Sequence, residues 1–434
     1  MPLIANRYLN AMQRCMVFLL ILLLPTQLGL HLWPSWTNID GLRIDYLSPV
    51  ISIVSIIALC LIMILWKRNA YDRHVHVSIL IIILICVNTV FSLIPQLTLY
   101  RWASAGIMSF ALYLIVKNHE YDREIFLGLA LGTCLQLVLA LLQFYSQGAI
   151  QGIWYWLGER AVYPWMPDMA QITLHGRQFL RPYGTFSHPN ALAGFYLVVH
   201  FLLQSGLPMT KMGFSPHLDQ KKWDLIPRIF SLLKYCAIVA SALLVLISFS
   251  RTAIAVFVIL HIVLVWRDPT YRWCRFCQVV RPVVMISVGV VFLQGQGDVF
   301  TNEKRWYLIL RALEVFSSHL ITGTGWGASV ATTAGNYFQN IPLYQPVHNI
   351  YLLWMVETGM IGTAIALYLV HKYWRNLWHG LAVSSPFVAL LLTGLNDHYW
   401  LTQPQNIALC LFITLWLLHQ PKSQIDGKIE SGAK

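Results

Sequence analysis

The chain has 434 residues, of which 57% are hydrophobic and only 11% charged, too few charges to coat a water-soluble globule of that size. Its net charge of +12 calls for no nucleic-acid partner, because positive loops facing an anionic leaflet account for it. Composition therefore predicts an all-α polytopic membrane protein, read as one integral membrane unit over 1–434 with no separate soluble domain and no fixed-period repeat.

A run of about 20 apolar residues spans a bilayer core as a helix. By that measure about twelve runs follow one another, centred near residues 24, 57, 86, 108, 134, 198, 240, 259, 287, 358, 386 and 411. The first follows Arg7 and Arg14, lacks a small-x-small cleavage site, and reads as a retained signal anchor. With both termini in the cytoplasm, twenty-one of the thirty Lys and Arg fall in inside segments, as the positive-inside rule requires. Six of the eight cysteines sit in apolar runs, where they act as small hydrophobes. Cys274 and Cys277 form a CxxC with no second pair or His partner at zinc spacing, so a bland cytoplasmic loop is expected there.

Two outward-facing loops stand out by length, 146–190 and 294–347, and loops that long usually fold on their own or carry function. The first is aromatic-rich (IWYWLGERAVYPWMPDM), as suits a membrane interface. In the second, Trp306, Leu308, Ile309, Leu313, Val315 and Phe316 recur at near-helical spacing and predict a short helix lying on the outer surface. Nine cations remain outside. Arg43 and Arg101 fit snorkelling near span ends, whereas Arg160, Arg177, Arg181, Arg251, Lys304, Arg305 and Arg311 crowd into the long loops and one turn.

Arg251, in ISFSRTAIAVFVIL, has an apolar run on either side of a Ser-Phe-Ser-Arg turn. An arginine at bilayer depth costs about 2.5 to 3.5 kcal/mol, so function is the default reading. Arg181 opens RPYGTFSHPNALAG, where Pro189 marks a helix start and Ser187 or Asn190 could cap it. Arg305 precedes SSHLITGTGWG, whose Gly323, Gly325 and Gly327 are neither a P-loop nor a dinucleotide fingerprint; a tight turn back to the membrane is expected, with anion binding by its N–H groups a weaker reading.

QPVHNIYLLWMVETG, residues 345–359, places Pro346 at an expected first helical position and His348 and Asn349 in the first turn. The positive helix end there favours a neutral imidazole, able to take a proton from a hydroxyl. With several arginines nearby and no DxD motif or carboxylate cluster for a metal, the pattern suits metal-independent displacement of a dianionic leaving group. A polyprenyl diphosphate has that charge and that location. Glu357 and Asp397, in or near spans, could orient His348 or a sugar, or simply pair with cations.

RPYGTFSHPN, SFSRTA, Arg305 followed by HLITGTG, and VHNIYL with ETG together resemble the O-antigen ligase and polymerase superfamily over roughly 180–400. Leu320 and His188 depart from the family's usual proline and asparagine. The resemblance implies a GT-C-like, inverting glycosyltransferase of about twelve helices in the cytoplasmic membrane, working on its outer face without cofactor or metal. The donor would be an undecaprenyl diphosphate-linked glycan and the acceptor a lipid or glycan hydroxyl, such as that of lipid A core. Carried over, Arg181, Arg251 and Arg305 bind the diphosphate and His348 is the general base, with Asn349, Glu357 and Arg311 as supporting candidates. A polymerase of the same superfamily shares the donor chemistry. A lipid-linked sugar transporter would show internal repeats and broken helices, and a membrane O-acyltransferase lacks the diphosphate-binding arginines.

Overall fold

The computed structural model describes residues 2–66, 75–117, 119–174, 176–205, 225–267, 299–335, 337–338 and 341–420. The apolar run near 287, the Cys274–Cys277 pair, residues 294–298 and the basic tail lie outside the described residues. Those that are described form a helical protein: α1 (Pro2–Leu22), α2 (Ile53–Leu65), α3 (Val75–Val90), α4 (Pro95–Val116), α5 (Asp122–Ser146), α6 (Ile153–Trp156), α7 (Pro189–Ser205), α8 (Leu225–Ile247), α9 (Arg251–Arg267), α10 (Val299–Ser318), α11 (Ile350–Leu377), α12 (Leu381–Gly394), α13 (Tyr399–Thr402) and α14 (Pro404–Leu418). Ten of the twelve expected centres fall inside these helices. The one near 24 falls just past α1, which stops ahead of Pro25, a residue with no N–H to continue the ladder.

Among the described residues, four helices are long and apolar enough to cross a membrane: α4, α5, Arg228–Ile247 of α8, and α11. Shorter apolar helices, among them Ile53–Leu65, Leu381–Gly394 and Pro404–Leu418, complete the bundle. α7 is its axis, buried from Ala191 to Leu203 and packed against α8, α9, α12 and α14. One polar clamp joins three of these helices. His200 and Gln204 of α7 meet His261 of α9: the Gln204 amide nitrogen lies 2.8 Å from His200 Nε2 and 3.3 Å from His261 Nε2. The Nδ1 atoms face Ile238 O of α8 and Phe257 O of α9, at 3.2 and 2.8 Å. One amide NH2 facing two ring nitrogens links the helices without an ion pair, which is how apolar bundles tolerate such residues.

Small β-hairpins join the helices at one end. β1 (Gly29–His31) pairs with β4 (Val50–Ser52), and β2 (Asn38–Ile39) with β3 (Leu42–Arg43) across Asp40-Gly41, both at positive φ as a type I′ turn requires. β5 (Gln171–Leu174) and β6 (Arg177–Leu180) form a hairpin inside the first long loop, and β7 (Tyr337–Phe338) pairs with β8 (Ile341–Pro342) in the second. Asp40 Oδ2 accepts from Gly335 N at 2.9 Å and Tyr344 OH at 2.6 Å, which ties the first hairpin to the second long loop. In the first long loop Glu159 is buried and accepts from Ile150 N, Gln151 N and Gln143 Nε2. Trp156 and Trp165 stay exposed, as expected of interface aromatics. α10 packs Leu308, Ile309, Ala312, Val315 and Phe316 inward against Val347, Leu353 and Val356, and leaves Trp306, Leu310 and Leu313 facing out.

α11 is broken inside its span. Gly359 sits at φ 66°, ψ −168°, and the glycine turn 319–327 inserts its backbone against the break. Thr324 N donates to Val356 O and Gly325 N to Glu357 O, while Met360 N and Ile361 N donate to Leu320 O and Ile321 O. Asn88 Nδ2 also reaches Glu357 O, at 2.7 Å. The turn's N–H groups are thus consumed by the chain, which overturns the anion-binding reading of this segment: Gly323 N goes to His319 O and Trp326 N to Asn88 Oδ1. Glycine is needed because the two backbones touch; a Cβ on Gly359 would lie 2.3 Å from Ile321 O.

Gly359→Ala should therefore lower the melting temperature in detergent markedly, since left-handed backbone alone costs about 1–3 kcal/mol. Gly106→Ala, in α4 with open space around it, should leave it unchanged or raise it.

Candidate active site

The residues the sequence singles out lie within electrostatic reach of one another around the start of α7: Arg181 feels Arg251 and Arg305, and His188 feels Arg181, Arg305 and His348. α8 ends at Ile247 and α9 begins at Arg251, with Phe249 at φ 53° between them. This places Arg251 in the first turn of α9, exposed, at a helix end and not within a span. Ser248 O of the same turn accepts from Arg181 Nε at 2.7 Å, so the two arginine-bearing segments are stitched together. Burial, helped by the charges of Arg251 and Arg305, pushes the Arg181 guanidinium down to about 10, against Tyr183 and Asp397, which hold it up. It remains a cation at neutral pH. Arg305, half-buried in α10, also bears electrostatically on His188 and His398.

Asn349, and not Pro346, starts α11. Its Oδ1 accepts from Tyr351 N at 3.0 Å and Leu352 N at 2.9 Å, and its Nδ2 donates to Leu395 O at 3.0 Å. An asparagine that caps and ties in one side chain outcompetes a proline start three residues earlier. His348 consequently precedes the cap and does not lie in the first turn. Its Nδ1 faces Asp397 Oδ1 at 3.6 Å, and its ring lies 4.8 Å from that of His398. Asp397 Oδ1 also accepts from His398 N at 2.8 Å, and Oδ2 from Asn190 Nδ2 at 3.0 Å. Burial alone would push this carboxyl up, but His348, then His398 and His188, hold it well below the usual carboxylate range.

His188, not Ser187 or Asn190, caps α7: its Nδ1 accepts from Asn190 N at 3.1 Å. Burial, then Arg181, pushes its imidazole down to about 4. Burial and His348 push His398 down to about 3, and its Nδ1 lies 2.9 Å from Thr402 Oγ1. The other supporting candidates turn elsewhere. Glu357 is buried on the far side of α11, where its Oε1 accepts from Tyr46 OH at 2.8 Å and Ser329 Oγ at 2.7 Å; it does not touch His348. Arg311 pairs with Glu314 of its own helix. Arg101, expected to snorkel, is instead buried in α4 with Nη1 on Thr402 O and Nη2 on Tyr46 O.

His348, Asp397 and His398 could offer three ligand atoms within 4.8 Å of one another. Asp397 already accepts through both oxygens, and three arginines raise the local potential, so the surroundings oppose a cation. They favour an anion. On its other side the cluster borders a cavity of about 510 Å³, which reaches His188, Asp397 and His398. Its wall carries Arg43, Arg101, Arg160, Tyr46, Tyr344 and Trp326, and its floor Leu24, Val54, Met108 and Ala408 between α2, α4 and α14. Sequence reasoning missed His398, Arg101 and the bridging use of Asn190; NDH at 396–398, polar residues closing an apolar run, was the available signal.

The apolar helices suit an integral membrane protein, with a basic cluster at one end of the bundle. The O-antigen ligase family matches residues 236–367, from late α8 into α11, and this supports the chain's place in the O-antigen ligase superfamily. The matched segment carries Arg251, Arg305 and His348; Arg181, Asn190 and Asp397 lie outside it. No curated protein matches the chain. The matched family points, at a coarse level, to a glycosyltransferase-like membrane protein and to lipid-linked glycans and acceptors in general.

Because His188 takes up a proton near pH 4 when folded and near 6.5 when unfolded, the unfolded chain binds more protons between those values. Stability should fall as pH drops from about 6.5 to about 4, and thermal melts of His188→Asn should show a shallower loss over that window.

Proposed function

We propose that the protein transfers a glycan from undecaprenyl diphosphate to an acceptor hydroxyl on the outer face of the cytoplasmic membrane, as an inverting, metal-independent O-antigen ligase. The observation that carries this reading is the Asp397–His348 pair beside Arg181, Arg251 and Arg305. The chain then forms a GT-C-like unit of about twelve spans, its termini cytoplasmic and its loops 146–190 and 294–347 outward.

The chemistry follows from the orientation of one ring. With Nδ1 turned to Asp397, His348 keeps the lone pair on Nε2 for a hydroxyl proton, and the carboxylate stabilises the imidazolium that forms. The deprotonated oxygen attacks the anomeric carbon as the bond to diphosphate breaks on the opposite face, which inverts the centre. The charge left on the diphosphate falls to the arginines, whose planar forks hold phosphate oxygens in pairs. The cavity bordering Asp397 and His398, aromatic and basic above and apolar below, suits an acceptor with a sugar head and a lipid chain. A polymerase using a lipid-linked glycan as acceptor fits that cavity equally. A lipid-linked sugar transporter has no use for an oriented base.

Reconstitution with undecaprenyl diphosphate glycan and candidate acceptors, followed by mass analysis, tests the reading; a product on a distinct lipid marks a ligase and an elongated donor a polymerase. His348→Ala should slow transfer by about a hundred- to ten-thousandfold with donor still bound, and near-normal rates would remove the base. Transfer should survive excess EDTA, and its abolition would place a metal at His348, Asp397 and His398.

A further inference from the structure

The geometry points to Asn190 as a positioning residue that keeps Arg181 and Asp397 apart and in register, so that diphosphate binding and base orientation are set by one side chain. This rests on the glycosyltransferase reading for its meaning but not for its test. The Asn190 Oδ1 accepts from Arg181 Nη2 at 2.7 Å, and its Nδ2 donates to Asp397 Oδ2 at 3.0 Å. The amide cannot be reversed: a guanidinium needs an acceptor and a carboxylate needs a donor, so both ends of the group are specified. Asn190 is free for this because His188 serves the start of α7: its ring accepts from Asn190 N and its carbonyl from Ala191 N and Leu192 N.

What the amide prevents matters as much as what it links. Arg181 and Asp397 are opposite charges at one buried corner, and without a neutral spacer they would close into a direct ion pair. That pair would cancel the charge offered to a diphosphate and draw Asp397 off His348. With Asn190 in place, Arg181 spends Nε on Ser248 O and one Nη2 hydrogen on the amide. Its Nη1 makes no hydrogen bond among the described residues and is left for phosphate oxygens. Asp397, tethered through Oδ2, presents Oδ1 to His348.

The test compares Asn190→Ala and the isosteric Asn190→Asp with wild type, in detergent, by calorimetric binding of inorganic pyrophosphate and by donor KM and kcat. Both variants should keep the wild-type gel-filtration profile. Pyrophosphate affinity should fall at least tenfold in Asn190→Ala and further in Asn190→Asp, whose carboxylate neutralises Arg181, with donor KM rising and kcat falling together. A residue needed only for packing gives the opposite order, since the isosteric aspartate would be the better tolerated. Asn190→Asp binding pyrophosphate within about threefold of wild type, or Asn190→Ala with unchanged donor KM, overturns the inference. Wild-type protein that binds pyrophosphate yet transfers no glycan overturns the glycosyltransferase reading alone, because the order of the variants is still read in binding.

Discussion

One buried carboxylate holds the site together. Asp397 sits in the corner between α12 and α13 and gathers Asn190 from the start of α7, His348 from the approach to α11 and the backbone of His398. A lone carboxylate there would be costly to desolvate, and it is tolerated because N–H donors and an imidazole surround it. The same satisfaction draws three distant chain segments to one point. Arg181 then joins through Asn190, and Arg251 through the Ser248 turn that Arg181 grips, so the basic cluster is built outward from an acid.

The second constraint is the break in α11. A membrane helix interrupted at Gly359 leaves backbone groups that lipid cannot satisfy, and the glycine turn after α10 supplies partners for them. This fixes how α10 returns to the bundle. Since α10 carries Arg305, and Asn349 ties the start of α11 to Leu395 beside Asp397, the break and the acid together set where the third arginine stands relative to His348.

Much of this was legible in the sequence because its signals are local. Hydropathy placed ten of twelve runs, the Ser-Phe-Ser-Arg stretch read as a turn, and three glycines read as a tight return to the membrane. Arg251 and His348 stood out as awkward in lipid, Arg181 and Arg305 by their place in the long loops, and the structure sets Arg181 within electrostatic reach of Arg251 and Arg305. What failed was whatever depended on a choice between partners. Pro346 and Asn349 both signal a helix start, and only the bond to Leu395 decides between them. Ser187 and Asn190 both could cap, yet His188 does, because Arg181 and Asp397 claim the Asn190 amide. Glu357 and Asp397 looked alike as acids near span ends; which one faces His348 depends on Tyr46 and Ser329, far away in the chain, having taken Glu357.

The clamp of His200, Gln204 and His261 bears on how the enzyme moves. It locks α7 to α9, and through Ile238 to α8, well below the site. These helices are the stems on which Asn190 and Arg251 ride and on which the Ser248 turn rests. Pinned at depth, they form a rigid tripod, and the spacing between the arginines becomes a property of the bundle. The other wall differs, since α10 packs there on one face only and leaves the other uncovered.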